Sequence, residues 1–182
     1  MNNKSISFIQ QFKKGDQRAF DSLVLLHKDW VIGMIYNMVH NKQDAEDISQ
    51  DVFVSVYFAL GKFKQDSSFK TWLYRIVINK VNGHYRKLKL KNIFSFDLSD
   101  VDEVKTFYSD EDRIFKEYDK KLLQKAIVSL SGKQRNVLLL RVYQSHSFKE
   151  ISMYLDISVN NAKVMYHQAK ERLKKKMKNY AG

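Results

Sequence analysis

Apolar residues recur at helical spacing along most of the chain, and no stretch shows the strict alternation of a half-buried strand. Residues 6–13 predict a short helix ended at Gly15. Asp16 is placed to cap a second helix, which runs through Phe20, Leu23, Val24 and Leu26, past Trp30 to Val39. Residues 40–42 make a turn. A third helix over about 44–60 carries Ile48, Val52, Val56 and Ala59 on one face and Asp44, Asp47 and Asp51 on another. Residues 61–68 form a polar loop holding Phe63, and a fourth helix follows over 69–89. Its apolar band is Phe69, Trp72, Leu73, Ile76 and Val77, with Tyr74 and Val81 near the edges. The C-terminal part predicts helices at about 120–130, 133–143, 148–155 and 159–178. The expected class is all-α.

Composition supports long helices and a charged partner. Proline is absent and only 6 glycines occur in 182 residues, so the backbone has few obligatory breaks. A hydrophobic content of 44% lies in the globular range. The net charge of +12 points to an anionic partner, nucleic acid or a membrane surface. Charge is unevenly spread: residues 1–90 carry 14 basic and 8 acidic side chains, residues 91–120 carry 5 and 9, and residues 121–182 carry 13 and 3. Two basic domains, 1–90 and 120–182, are therefore expected to flank an acidic linker over 91–119, with a helix starting near Glu111. Without cysteine, disulfides and thiolate metal sites are excluded, which fits a reducing cytoplasm. The first residues are too polar for a signal peptide, and no apolar run reaches the ~20 residues of a membrane span.

The fourth helix carries Lys70, Arg75, Lys80, Arg86, Lys87 and Lys89 among its rings, with Asn79 and Asn82 as neutral donors and no acid between them. Cations track phosphates, and a ring can stack on an unpaired base for about 1–3 kcal/mol. Any one of these residues also fits an amphipathic helix with a solvated basic face. The absence of acid across the whole stretch favours a polyanion.

Near the C-terminus the spacing is that of a helix-turn-helix. Phe148, Ile151, Met153 and Leu155 are expected to pack the first helix, and residues 156–158 make the turn, with Ser158 as cap. Val159, Ala162, Tyr166, Ala169 and Leu173 are expected to face inward. That leaves Asn160, Asn161, Lys163, Val164, His167 and Gln168 at the end that enters a major groove. Asn and Gln can pair with adenine, Lys reaches guanine or phosphate, and Val touches a thymine methyl. Lys170, Arg172, Lys174, Lys175, Lys176 and Lys178 would follow on phosphate. The competing reading is an ordinary helical hairpin with a lysine-rich end.

Taken together, the two halves resemble bacterial RNA polymerase sigma factors of the extracytoplasmic-function (ECF) group of the sigma-70 family. The resemblance rests on DAEDISQDVF at 44–53, on Ser68, Phe69, Trp72, Leu73, Ile76, Asn79 and Arg86 in the following helix, and on the stretch from Leu130 to Ser158. It implies a region 2-like helical bundle over 1–90 and a region 4-like helix-turn-helix over 120–182. Asp44, Asp47, Gln50 and Asp51 would then bind the clamp coiled coil of core RNA polymerase. Phe63, Lys70, Arg75, Asn79, Lys80 and Arg86 would recognise and help melt the minus-ten element. Asn160, Asn161, Lys163, Val164, His167, Gln168 and Lys170 would read the minus-thirty-five element. Family members often carry Thr-Val-Lys-Ser-Arg where this chain has residues 161–165, Asn-Ala-Lys-Val-Met, so base preference does not transfer. Asp156 stands where glycine is common, and aspartate tolerates that left-handed turn. Implied partners are core polymerase, promoter DNA and an anti-sigma factor; no cofactor, metal or membrane insertion is implied.

Alternatives come from other classes. A free-standing helix-turn-helix regulator would have no need of a base-stacking platform. A magnesium site at Asp44, Asp47 and Asp51 lacks a backbone-carbonyl loop. A phosphodiester enzyme is opposed by five scattered histidines and by the absence of HExxH, P-loop and Asp-x-Asp motifs.

Overall fold

The computed structural model describes residues 2–94 and 122–180, and no strand occurs among them. The helices are α1 (Asn2–Lys13), α2 (Arg18–Val39), α3 (Lys42–Leu60), α4 (Phe69–Phe94), α5 (122–129), α6 (Gly132–Val142), α7 (Phe148–Leu155) and α8 (Val159–Tyr180). The all-α expectation holds. The acidic stretch and the helix start near Glu111 lie outside the described residues. Internal contacts divide the chain into compact units at Met1–His84 and Tyr85–Gly182, so the division falls inside α4.

In the first unit, local chemistry sets each boundary. Gly15, at φ 100°, ends α1 in a conformation that penalises a Cβ. Asp16 Oδ1 accepts the Arg18 N–H at 3.0 Å at the start of α2. His40 closes α2 in the left-handed region, its N–H on the Tyr36 carbonyl, and Asn41 caps α3 through the Asp44 N–H at 2.9 Å. That two-residue link folds α2 and α3 into a hairpin. Ser68 caps α4 by accepting the Thr71 N–H at 3.1 Å. The core is Ile9 of α1; Leu23, Val31, Ile35 and Met38 of α2; Val52, Val56 and Leu60 of α3; and Leu73, Val77 and Val81 of α4. Each such side chain contributes about 1.5–3 kcal/mol by leaving water.

The second unit is built around α6, in which Val137, Leu138, Leu139 and Leu140 are consecutive and all buried. A helix apolar on every side must be wrapped by others, and α7 and α8 pack on it. Arg135 turns its guanidinium onto the carbonyls of Val128 and Leu130 at 3.3 and 3.5 Å, satisfying acceptors left over at the end of α5. Ser147 and Glu150 form a reciprocal capping box at the start of α7. The Ser147 N–H and hydroxyl both donate to the Glu150 carboxyl, at 2.8 Å each, and hold it below its usual range. Asp156, at φ 54° and ψ 54°, ends α7, and Ser158 caps α8 by accepting the Asn161 N–H at 3.1 Å.

Two inward assignments are corrected. Met153 is 46% exposed, and Tyr154, three residues after the buried Ile151, takes the inward place. Val159 is likewise exposed, whereas Ala162 and Ala169 are fully buried.

Candidate nucleic-acid and partner interfaces

Helix α3 presents a polar face to solvent. Asp47, Gln50 and Asp51 are all exposed, and Gln43 Nε2 donates to Asp47 Oδ1 at 3.4 Å. Asp44 starts the same row with its side chain 41% exposed, and its carboxylate also lies 3.7 Å from His84 Nε2 of α4. Among the described residues no three His, Asp or Glu side chains are grouped to hold a metal.

The same α3 stripe continues in apolar form. Val54 and Phe58, at helical spacing from Asp47 and Asp51, are 55% and 76% exposed. Sequence reasoning missed them. The signal was present, since both fall off the row of Ile48, Val52 and Val56, and apolar residues off the core row need another partner.

On α4, Trp72, Arg75, Asn79 and Arg86 recur at steps that place them on one face. Arg75, Asn79 and Arg86 are exposed, and Trp72 is half-buried, its ring tilted on Phe63 and Phe69 at 5.1 and 5.7 Å. Lys70 and Lys80 are off this row. Lys70 sits in the first turn with its ammonium 5.1 Å from the Trp30 ring, and Lys80 is half-buried.

Phe63 requires correction. It is only 4% exposed, packs against Phe69 and Trp72, and its carbonyl accepts from Lys13 Nζ at 2.6 Å. Its ring is the anchor of the 61–68 loop. It offers no face to a base, and Phe69 and Tyr74 are buried with it. Around this anchor Lys62, Lys64, Gln65 and Asp66 are exposed, with Gln65 in the left-handed region at φ 63°.

Helix α8 brings together every residue expected to read duplex DNA. Asn160, Asn161, Lys163, Val164, His167, Gln168 and Lys170 are all exposed, while Ala162 and Ala169 seat the helix on its neighbours. Lys170 also stands 5.7 Å from the Tyr166 ring. Arg172 departs from expectation, because its guanidinium turns inward and donates to Gln134 Oε1 at 2.9 Å instead of joining the phosphate row. Gln134 in turn donates from Nε2 to Gln168 Oε1 at 3.1 Å.

Helical units of this kind match two family models, Sigma-70 region 2 over residues 23–91 and Sigma-70 region 4 over residues 120–173, which sets the class as sigma-70-type. ECF RNA polymerase sigma factor SigW of Bacillus subtilis is 32% identical over 179 residues, spanning 94% of this chain and 95% of that protein. RNA polymerase sigma-H factor of Pseudomonas aeruginosa is 30% identical over 174 residues, spanning 92% and 90%. This chain belongs to the ECF RNA polymerase sigma factors. The fold is shared with CnrH, solved in complex with the cytosolic domain of CnrY, at TM-score 0.59 and 24% identity over 94% of this chain and 95% of that one. It is also shared with the sigma factor RpoE of Bartonella quintana, solved with the anti-sigma factor NepR, at TM-score 0.57 and 20% identity over 87% and 96%.

Proposed function

We propose that this chain binds core RNA polymerase and directs it to promoters. Residues 1–90 engage the polymerase and the minus-ten element, residues 120–182 read the minus-thirty-five element, and residues 91–119 tether the two. The observation that carries the reading is the pairing, in one chain of this family, of a ring-and-cation row on α4 with a capped, solvent-facing recognition helix α8. The α4 row suits a separated strand, with Arg75, Asn79 and Arg86 on phosphate or base and Trp72 as a partly open ring. Opening a duplex costs about 1.4 kcal/mol per stacking step, which such contacts offset. The exposed face of α3, polar at Asp47, Gln50 and Asp51 and apolar at Val54 and Phe58, suits the clamp of the polymerase.

Polymerisation belongs to the core enzyme, and the chain is assigned no catalytic step of its own. It acts in the cytoplasm, and among the described residues no helix is long and apolar enough to cross a membrane. An anti-sigma factor is a further proposed partner.

Run-off transcription by core polymerase on a random promoter library, with and without the chain, tests the reading. Start sites are expected only with the chain present. Asp47→Ala with Gln50→Ala should weaken core binding first, and Arg75→Ala with Asn79→Ala should reduce promoter opening by tenfold or more while core binding holds. Equal loss of both activities in both variants would refute the division of labour. A chain that binds duplex DNA but never core polymerase would be a free-standing regulator.

A further inference from the structure

Two glutamines and an arginine in the second unit form a directed chain of hydrogen bonds. Gln134 is 6% exposed on α6, whereas Gln168 and Arg172 project from α8 one turn apart. Arg172 Nη1 donates to Gln134 Oε1 at 2.9 Å, and Gln134 Nε2 donates to Gln168 Oε1 at 3.1 Å. The order of atoms is dictated by chemistry. A guanidinium has donors and no acceptor, so the end of Gln134 that meets Arg172 is its carbonyl. The other end of Gln134 is then its amino group, which requires an acceptor, and Gln168 must answer with its carbonyl. The amino group of Gln168 is left as the end turned outward, on the same row of α8 as Asn161 and Val164.

A glutamine reads adenine bidentately only when its carbonyl and amino ends both face the base edge. Here the carbonyl is drawn back toward α6. We propose that Gln134 and Arg172 are positioning residues that set the polarity of Gln168, so that it reads duplex DNA as a donor and favours bases with a keto oxygen in the major groove, guanine or thymine, over the amino bases adenine and cytosine. The inference rests on the reading of α8 as the minus-thirty-five helix and names the chemistry of one contact within it.

Transcription by core polymerase with the full chain, on promoters randomised across the upstream element, decides the matter once transcripts are sequenced. Wild type should enrich keto bases at one position by about two- to tenfold, the range of a single net hydrogen bond. Gln168→Ala should flatten that position and leave the others. Gln134→Glu keeps an acceptor for Arg172 but can only accept from Gln168, so the Gln168 amide must turn. The preference at the same position should then reverse toward adenine or cytosine. Arg172→Met, which releases Gln134 without adding charge, should abolish the preference and not invert it.

An unchanged preference in a folded Gln134→Glu chain, or a Gln168→Ala chain that flattens no position, overturns the inference. Side-chain amide exchange by nitrogen-15 NMR supplies a readout independent of transcription. In wild type the Gln134 amino protons should be protected and those of Gln168 should exchange freely, whereas in Gln134→Glu, which keeps no side-chain amide at that position, the Gln168 amino protons should become protected. Rapid exchange of the Gln134 amino protons in wild type would equally overturn it. If wild type starts no transcript, the functional reading fails on its own, and the same variants are scored by binding of the full chain to randomised duplexes.

Discussion

His27 shows how one titratable side chain can couple stability to pH. It is buried on α2, its Nε2 lies 2.8 Å from Ser5 Oγ of α1, and its ring packs 5.2 Å from that of Phe69. Burial foremost, then the nearby Lys70 ammonium and the chain's amino terminus, lowers its pKa from 6.5. Burial lowers His40 as well. Both imidazoles are held neutral in the folded state, so below about pH 6.5 the unfolded chain takes up more protons and the folded state loses stability. The stabilisation is complete above that pH and declines as pH falls toward the depressed folded values. The thermal midpoint should therefore drop between about pH 7.5 and about pH 5, and His27→Gln should flatten part of that drop, with His40 supplying the remainder. A midpoint in the variant as pH-sensitive as in wild type would show that His27 is not the source. At this scale the sequence was least informative. It gave residue types and approximate faces, but not that Phe63 anchors a loop, that Asp44 lies near His84, or that Arg172 bonds to Gln134. A loop has no period to assign Phe63 by, and the long arms of Arg and Gln reach partners that spacing does not reveal.

Elements were far more legible, because their boundaries rest on local chemistry. Ser68, Ser147 and Ser158 each accept an N–H three residues on, and Gly15 and Asp156 supply left-handed stops. What periodicity left loose was rotation about the helix axis. On α7 a rotation of one residue exchanges Met153 for Tyr154, and on α3 the apolar Val54 and Phe58 went unassigned because they lie off the core row. The seating of α8 depends on small residues, since Ala162 and Ala169 are fully buried where the helix meets its neighbours. Ala169→Leu should force α8 outward and cost about 1–3 kcal/mol, the usual penalty of overpacking. Denaturant unfolding should register that loss, and binding to the upstream element should fall with it because Val164 and Gln168 would no longer be presented together. A Leu variant of full stability would mean that α8 has room to spare at this crossing.

At the scale of the whole molecule, the charge pattern and the distance between promoter elements together constrain the tether. The two elements lie about two turns of duplex apart, on the order of 70 Å. Residues 95–121, between the described helices, can reach at most about 95 Å at roughly 3.5 Å per residue. The margin is modest, so length matters. Two weak DNA contacts on one tether reinforce each other only while both sites can be reached at once. Removing 15 residues from this stretch should leave a reach of about 40 Å, short of the required span. Core binding, which the proposed function assigns to the first unit, should survive. Transcription from a promoter with both elements should fall to the level of one lacking the upstream element. Replacing the same 15 residues with a Gly/Ser sequence of equal length separates reach from charge. If the flexible replacement restores activity, the acidic side chains serve only as a solvated spacer. If it does not, their charge takes part in initiation, as a segment imitating nucleic acid inside the polymerase would.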